Sequence, residues 1–271
     1  MTNPEIHLTQ WSRFGVSDPA VVLVHGGAQG SAKGGDQHFS RQSRLATEGW
    51  RVIAPDRPGH GLSPSPGRPD DAEADGLWVA DLLGNGAHLV GHSFGGSVAL
   101  AAAALRPEAV LSLTLIEPAM HALAAGDPRV QEFFKGMMAV HAGEPSAAEV
   151  ATRFLKQVGL PAEVRGPLNT DELERIGEAI RRMKLPSADW LRTSLDSIKT
   201  RGVPALVVTG GWSPAFEAVG DVVSGLCGGA RVVVASDHHL LHSASDEFNQ
   251  RLAEFMRQAD LERVHTRPDV G

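Results

Sequence analysis

The sequence contains no tyrosine and a single cysteine, Cys227, among its 271 residues. A catalytic phenol is therefore excluded, and one thiol cannot form a disulfide within the chain. No apolar run approaches the roughly 20 residues that a helix needs to cross a bilayer. The amino-terminal residues have neither the basic start nor the apolar stretch of a secretory signal. These absences predict a soluble protein with a cytoplasmic location and no membrane partner.

Positive charge is also in short supply. The chain has 25 Lys and Arg residues against 32 Asp and Glu residues, which gives a formal net charge of −7. Proteins that hold nucleic acid do so largely through basic patches that neutralise phosphates, so we expect no nucleic-acid partner. The hydrophobic fraction of 42% and the charged fraction of 21% are ordinary for a globular protein. A small-molecule partner is the simplest expectation.

Short apolar runs rich in Val, Ile and Leu recur along the chain, with segments of helical length between them. Strands that are apolar on both faces and alternate with helices indicate a mostly parallel sheet covered on both sides. We therefore predict an α/β fold with a doubly wound sheet. The predicted strands are residues 21–25, 51–55, 87–91, 111–117, 205–210 and 231–235.

The alternation breaks between residues 119 and 199, where helix-like stretches occur without a convincing strand. Both ends of this segment adjoin predicted strands, so we interpret it as a helical cap over the sheet. The core is then formed by residues 1–118 and 200–258, and residues 259–271 are predicted to be a flexible tail. The predicted helices are residues 38–48, 93–105, 214–226 and 246–256 in the core and 130–141, 147–158, 170–183 and 188–198 in the cap.

The most informative motif follows the strand at 87–91, where the chain reads Gly-His-Ser-Phe-Gly over residues 91–95 and continues into an Ala-rich helix. This is the strand–turn–helix context of the G-x-S-x-G nucleophile elbow. The sharp turn leaves no room for side chains two residues before and after the serine, which accounts for Gly91 and Gly95. The pattern predicts that Ser93 is an exposed nucleophile at the carboxyl end of the sheet.

A second glycine motif ends the strand at 21–25, where the chain reads His-Gly-Gly-Ala over residues 25–28. Acyl transfer needs two convergent N–H groups that stabilise the oxyanion of the tetrahedral intermediate. One comes from the residue after the nucleophile, which is Phe94, and the other from a loop after a neighbouring strand. We predict Gly27 as the second donor, with Ala28 as the alternative.

These motifs occur in the order found in the α/β-hydrolase fold superfamily, which the sequence resembles over about residues 20–118 and 200–257. The resemblance rests on the two motifs above, on the segment Asp-Arg-Pro-Gly-His-Gly-Leu-Ser at 56–63 and on a late histidine followed by Glu-Phe-Asn at 247–249. It implies an α/β-hydrolase fold whose helical cap is inserted after the sixth strand of the family. It also implies a catalytic serine, histidine and acid.

The histidine that acts as general base in this family lies in the loop after the last strand. Three candidates occupy that loop here, namely His238, His239 and His242. Similar chains place the base about eleven residues before the asparagine, which selects His238, with His239 as the alternative. His238 and His242 could also share a helical face and bind a metal. The pattern predicts a loop there, without a carboxylate or thiol cluster, so we expect no metal.

The acid of the triad departs from the commonest pattern of the family. Most relatives carry an aspartate shortly after the seventh strand, but Ser213 occupies that place here. Some members place the acid after the sixth strand instead, where this chain has Glu117. We predict that Glu117 holds the imidazole in the required tautomer. Glu217 and Asp221 are the rivals, although both are better explained as charges on the exposed face and amino-terminal turn of a helix. A serine–histidine dyad with weak or water-mediated support is the remaining alternative.

The sequence thus predicts a serine hydrolase that acts on a carboxylic ester or lactone and needs no cofactor. Carbon–carbon bond hydrolysis of a diketone, acyl transfer and cofactor-free peroxidation remain alternatives on the same site, and a ligand-binding protein of this fold is the non-enzymatic one. Asp56 and His60 are expected to brace their loop. Apolar side chains of the cap could line the substrate pocket or pack against the core; they include Phe133, Met137, Met138 and Trp190.

Overall fold

A computed structural model describes residues 4–13 and 19–266. Seven strands form one sheet in the order β1-β3-β2-β4-β5-β6-β7. Every neighbouring pair is parallel except β1 and β3. This confirms the predicted α/β fold. The strands are β1 (Leu8–Trp11), β2 (Ala20–Val24), β3 (Arg51–Pro55), β4 (Ala87–His92), β5 (Val110–Ile116), β6 (Ala205–Thr209) and β7 (Ala230–Val233).

Strand β1 has no counterpart among the strands predicted from apolar runs. It lies at the edge of the sheet and pairs antiparallel with β3, from Leu8 opposite Pro55 to Trp11 opposite Val52. None of its four residues is fully buried. Because one face and one edge of this strand are less covered, it needs no continuous apolar run, and its sequence carries little strand signal.

Helices cover both faces of the sheet and form the cap. They are α1 (Gly35–His38), α2 (Ala72–Leu82), α3 (Phe94–Leu105), α4 (Pro128–Val140), α5 (Ala147–Gln157), α6 (Ala162–Arg165), α7 (Thr170–Arg182), α8 (Ala188–Thr200), α9 (Pro214–Cys227), α10 (Leu241–Ala244) and α11 (Glu247–Thr266). The helix predicted at 38–48 is instead the short α1 followed by a 3-10 helix over Ser40–Glu48. Helix α2 was not predicted, although Asp71 caps its amino terminus by accepting from the N–H groups of Glu73 and Ala74.

The last helix extends through residues 259–266, so the prediction of a flexible tail from residue 259 is wrong for that stretch. Tertiary contacts hold it against the sheet. Ala259 is buried, and the carboxylate of Asp260 lies 3.4 Å from Nε2 of His88. Nη1 of Arg263 donates to the carbonyl oxygen of Val110 at 3.0 Å. Residues 267–271 of the predicted tail lie outside the described residues.

The segment between β5 and β6 is helical, as predicted, and joins the core through two surfaces. Helices α4 and α8 pack against α9 of the core. Helices α5 and α7 pack against each other and enclose an apolar cluster that also contains Ala28, from the loop after β2. The cap therefore lies directly over the glycine loop that follows β2. Across residues 4–13 and 19–266, no helix combines the length and the apolar character that a membrane span requires.

Candidate active site

The parallel strands β2, β4, β5 and β6 end at the same edge of the sheet. Each of these strands is followed directly by a residue of the candidate site. In chain order these residues are His25 of the glycine motif, Ser93 of the elbow, the predicted acid Glu117, and Gly210. In open α/β sheets this carboxyl edge is where ligands bind. The topology thus collects most of the predicted catalytic residues in one place.

Ser93 has the strained backbone expected of a nucleophile elbow. Its φ is 55° and its ψ is −123°, a conformation that costs energy in a residue with a side chain. The turn is also crowded, because a Cβ atom at Gly95 would lie 2.3 Å from the carbonyl oxygen of Val24. A Cβ atom at Gly91 would lie 2.5 Å from the carbonyl oxygen of Gly95. These contacts explain both glycines of the motif.

The loop after β2 lies against the nucleophile. A Cβ atom at Gly26 would approach Cβ of Ser93 to 2.7 Å, so this position accepts no side chain. The next residue, Gly27, has a φ of +91°. Phe94 is the first residue of α3, where a backbone N–H has no acceptor within its own helix. The predicted oxyanion donors, Phe94 and Gly27, therefore belong to the two segments that border Ser93.

Arg57 braces these two segments, a role that the sequence did not suggest. Its guanidinium is fully buried, ion-paired with Asp70 and 3.3 Å from the carboxylate of Asp75. Nη1 donates to the carbonyl oxygen of Gly27 at 3.3 Å, and the guanidinium carbon lies 4.6 Å from the centroid of the Phe94 ring. The Arg57 guanidinium, whose charge is balanced by two carboxylates, thus contacts both residues that are predicted to donate to the oxyanion.

Asp56 and His60 belong to the loop after β3. The Asp56 carboxylate accepts from the N–H groups of Gly35 at 2.7 Å and Leu62 at 2.9 Å, as a residue that braces the loop would. The His60 ring is buried, with its centroid 4.9 Å from that of His25. Burial first, and then the charge of Arg57, lower the pKa of His60 to about 3. His60 is therefore neutral at pH 7.

Glu117 is fully buried directly after β5, and its φ of 44° lies in the left-handed region. Oε1 accepts from the N–H of Gly210 at 2.5 Å, and Oε2 accepts from Nε1 of Trp212 at 3.2 Å. Oε2 also lies 3.4 Å from Nδ1 of His239. Two donors thus orient the carboxylate toward an imidazole, as a triad acid requires.

The structure brings His239, and not the predicted His238, to Glu117. The side chain of His238 is 19% exposed, and its Nδ1 accepts from the N–H of Leu240 at 3.1 Å. Its Nε2 lies 3.9 Å from the carboxylate of its neighbour Asp237. His239 is 1% exposed. The predicted His238 therefore does not contact Glu117. Neighbouring loop residues point in different directions, so a difference of one residue in the sequence count exchanges the two rings.

The rival acids are engaged elsewhere. Oε2 of Glu217 lies 2.6 Å from the Arg231 guanidinium, while Oε1 accepts from the N–H of Gly211 at 2.9 Å. Asp221 lies 3.4 Å from the same guanidinium. Ser213, in the place where an aspartate was expected, occupies the amino-terminal cap position of α9. Of the acids considered from the sequence, Glu117 is therefore the one that lies beside a candidate base.

Aromatic and imidazole rings surround His239. The ring centroids of His92 and Phe216 lie 4.6 Å and 4.7 Å from that of His239. His121, at the start of the cap segment, lies 4.7 Å from Phe216 and stacks on Phe133 at 4.2 Å. Burial first, and then the neighbouring His239, lower the pKa of His121 to about 4. The sequence analysis missed His121 and Phe216.

The four predicted substrate-contacting residues of the cap separate into different environments. Phe133 reaches the ring cluster next to His239, with its centroid 5.9 Å from that of Phe216. Met138 is 67% exposed, and Met137 is half-buried. Trp190 packs against the apolar core of the sheet domain. Of the four, Phe133 is the one that the structure places beside the candidate site.

The cap also contacts the histidine loop directly. The backbone N–H of His239 donates to the carbonyl oxygen of Gly159 at 3.3 Å. Gly159 follows α5 and has a φ of +71°. A Cβ atom at this position would lie 2.6 Å from the Trp212 ring, so only glycine allows this close approach. The cap therefore holds both the candidate base and the indole that orients Glu117.

Among residues 4–13 and 19–266, none of Glu117, His238 and His239 belongs to a group of side chains spaced to hold a metal ion. One group of three ligand-type side chains does occur there, formed by His38, His92 and His242.

The sequence matches known proteins over most of its length. The model of the α/β-hydrolase fold family matches residues 19–242. The chain is 30% identical over 260 residues to the dihydrolipoyllysine-residue acetyltransferase component of an acetoin cleaving system from Pseudomonas putida, a match that covers 93% of this chain and 67% of that protein. It is 36% identical over 170 residues to lipase LipV of Mycobacterium tuberculosis, covering 60% of this chain and 59% of the lipase. It is 29% identical over 264 residues to a 2-hydroxy-6-oxo-6-phenylhexa-2,4-dienoate hydrolase of Comamonas testosteroni, covering 88% of each.

Proposed function

Because the chain belongs to the α/β-hydrolase family, we propose that it is a serine hydrolase that cleaves a carboxylic ester or lactone through an acyl-enzyme on Ser93. His239 is the general base, and Glu117 is the acid. The observation that carries this proposal is the buried Glu117 carboxylate 3.4 Å from Nδ1 of His239, at the sheet edge where Ser93 forms a strained elbow.

The direction of proton transfer depends on which ring nitrogen of His239 faces Glu117. In the proposed reaction His239 is protonated at Nδ1, the nitrogen that faces the Glu117 carboxylate at 3.4 Å, so Nε2 carries the lone pair and removes the proton of Ser93 Oγ. Oγ attacks the carbonyl carbon, and the N–H groups of Phe94 and Gly27 stabilise the oxyanion. The imidazolium returns its proton to the leaving alcohol. Water, activated by the same imidazole, then releases the acid and restores Ser93.

Arg57 acts as a positioning residue in this scheme. Its bond to the Gly27 carbonyl and its contact with the Phe94 ring hold the two segments that carry the oxyanion donors. The pre-organisation of such donors is worth about 3–4 kcal/mol of transition-state stabilisation for each N–H in related sites. The carboxylates of Asp70 and Asp75 compensate the buried charge.

Relatives with different activities favour different kinds of bond as the one that this protein cleaves. The lipase match favours an ester. The hydrolase of Comamonas testosteroni, which is matched over 88% of both chains, favours carbon–carbon bond hydrolysis as the second candidate. Acyl transfer to an acceptor other than water would use the same acyl-enzyme. Phe133, next to His121 and Phe216, is the cap residue that we propose contacts the apolar part of the substrate.

The two adjacent histidines provide a matched test. Steady-state kinetics on p-nitrophenyl esters, lactones and a vinylogous diketone would first identify the best substrate. We expect His239→Gln to lower kcat by about a thousandfold or more on that substrate. His238→Gln should remain within about threefold of the wild type, because its ring does not contact Glu117.

A loss in His238→Gln equal to that in His239→Gln would refute the assignment of the base. Labelling of Ser93 by a serine-directed organophosphate, read by mass spectrometry of the peptide, tests the nucleophile separately. An unlabelled but folded protein would favour the non-enzymatic, ligand-binding alternative.

A further inference from the structure

Three histidines from distant parts of the chain meet beneath the nucleophile elbow. His38 ends α1, His92 ends β4 and His242 lies in α10. One ring nitrogen of each lies within 4.8 Å of a ring nitrogen of the others. The ring centroids are separated by 4.9 Å, 5.0 Å and 4.6 Å. None of the three belongs to the proposed triad.

The environment of His242 gives the first sign that this cluster binds something. Its side chain is fully buried, and among the described residues neither ring nitrogen has a partner in good hydrogen-bond geometry. Leaving a buried polar group unpaired costs about 1–3 kcal/mol. The apolar rings of Phe39 and Phe248 pack against it and offer no acceptor or donor. A ligand that accepts a nitrogen lone pair would remove this cost.

The orientation of His92 gives a second, independent sign. Nε2 lies 3.1 Å from the carbonyl oxygen of His239. A carbonyl only accepts, so Nε2 carries the proton and Nδ1 carries the lone pair. That lone pair points into the cluster, where it accepts a hydrogen bond from Nε2 of His38 at 2.8 Å, the contact that a bound ion would replace. Histidines that bind metals are held in this way, with the second ring N–H donated to a backbone carbonyl.

We propose that His38, His92 and His242 bind one divalent transition-metal ion such as zinc. The ligand atoms are Nε2 of His38, Nδ1 of His92 and a ring nitrogen of His242. Three imidazoles with no carboxylate or thiolate suit zinc, cobalt, nickel or copper rather than calcium or magnesium. On binding the ion, Nε2 of His38 would give up its hydrogen bond to His92 and its proton would move to Nδ1 of the same ring, so no net proton is released. A fourth position is left for water.

The distances allow this with a small adjustment. Zinc–nitrogen bonds of about 2.0–2.1 Å in a tetrahedral site place two ligand nitrogens about 3.3 Å apart. The observed separation of 2.8 Å between His38 and His92 is shorter than this, and the outer limit of 4.8 Å for the group is longer. Shifts of up to about three quarters of an ångström at each of two rings would therefore form the site. His38 is the least buried of the three.

The bound ion would act as a clamp on the loop of the proposed base. His92 donates to the carbonyl of His239, and His242 lies three residues further along the same loop. A metal that joins His38, His92 and His242 therefore connects α1, β4 and the segment after β7. The triad contacts no metal, and the metal site does not depend on the identity of the substrate.

Metal content is the direct test. The full-length protein is stripped with a chelator, desalted and titrated with Zn²⁺ or Co²⁺. We expect one equivalent to remain after desalting, measured by mass spectrometry of the metal, and visible absorption typical of Co²⁺ bound by imidazoles. His38→Gln should weaken the affinity by about a hundredfold or more, since second-sphere changes alone reach that size. His141→Gln, which removes an exposed cap histidine, should leave it unchanged.

A thermal measurement separates binding from nonspecific adsorption. At free Zn²⁺ a hundred times Kd, the melting temperature should rise by about 5 °C in the wild type and not in His38→Gln. His239→Gln should lose turnover but keep the metal, which separates this site from the proposed triad. His242→Phe is a second cluster variant, and circular dichroism reports whether each variant is folded.

Three results would overturn the proposal. The first is a folded wild-type protein that retains no metal at micromolar free Zn²⁺. The second is equal metal content in His38→Gln and His141→Gln. The third is loss of the metal in His239→Gln, which would place the ion at the triad. Retention by His239→Gln together with loss in His38→Gln would support the site even if the esterase proposal fails.

Discussion

Replacing Glu117 by glutamine tests the relocated acid with almost no change in volume. The carboxylate now accepts from the N–H of Gly210 at 2.5 Å and from Nε1 of Trp212 at 3.2 Å, and it faces Nδ1 of His239 at 3.4 Å. A glutamine side chain offers only one oxygen. In either orientation its NH₂ group opposes another donor, so at least one buried N–H loses its acceptor.

Two effects of different size follow from this. Loss of a buried hydrogen-bond partner should lower the free energy of unfolding by about 1–3 kcal/mol. Loss of the negative charge, together with stabilisation of the wrong imidazole tautomer, should lower kcat by about a thousandfold to ten-thousandfold. The expected pattern is therefore a moderately destabilised protein that still folds and is nearly inactive, measured by urea unfolding and by kcat on the best ester.

Trp212→Phe is the matched control. It removes the 3.2 Å bond to Glu117 but keeps the carboxylate and its contact with Gly210. A hydrogen bond to a charged group is worth about 1.5–3 kcal/mol, so its loss corresponds to a rate change of at most about tenfold to a hundredfold. A Glu117→Gln enzyme within about threefold of the wild type, or no slower than Trp212→Phe, would refute the role of Glu117.

Two further predictions concern the cap and the buried histidines. Gly159→Ala should lower both kcat and the melting temperature, because its Cβ would lie 2.6 Å from the neighbouring indole ring. Gly143 has a similar positive φ and open space around it, so Gly143→Ala should lower only the melting temperature. Equal kcat values for the two variants would contradict this. Burial lowers the pKa of His60 to about 3 and of His121 to about 4, so the unfolded chain binds more protons below pH 6.5 and stability falls as the pH is lowered. Each histidine should lower the free energy of unfolding by about 2 kcal/mol between pH 7 and pH 5. In urea unfolding, the decrease over this pH range should therefore be about 2 kcal/mol smaller for His121→Gln than for the wild type. A decrease equal to that of the wild type would contradict this.

Local sequence determined most of the fold and the tight turn at Ser93. Strands β2 to β7 are apolar runs, and the cap helices repeat apolar residues at helical spacing, so both were predictable within a few residues. The Ser93 elbow is equally local, because strand, turn and helix are consecutive and the crowding at Gly91 and Gly95 arises from the turn itself. The carboxyl edge of a parallel sheet then predicts that Glu117 and Ser93 lie close together.

Tertiary structure decided what depends on contacts between distant residues. The choice between His238 and His239 depends on the direction of one side chain in a loop, and that direction follows from contacts with Glu117 and with Gly159 of the cap. Strand β1 exists because β3 offers it an edge, and the end of α11 is helical because it packs on the sheet. The meeting of His38, His92 and His242 has no local signature, since side chains separated by up to two hundred residues become neighbours only when the sheet is assembled.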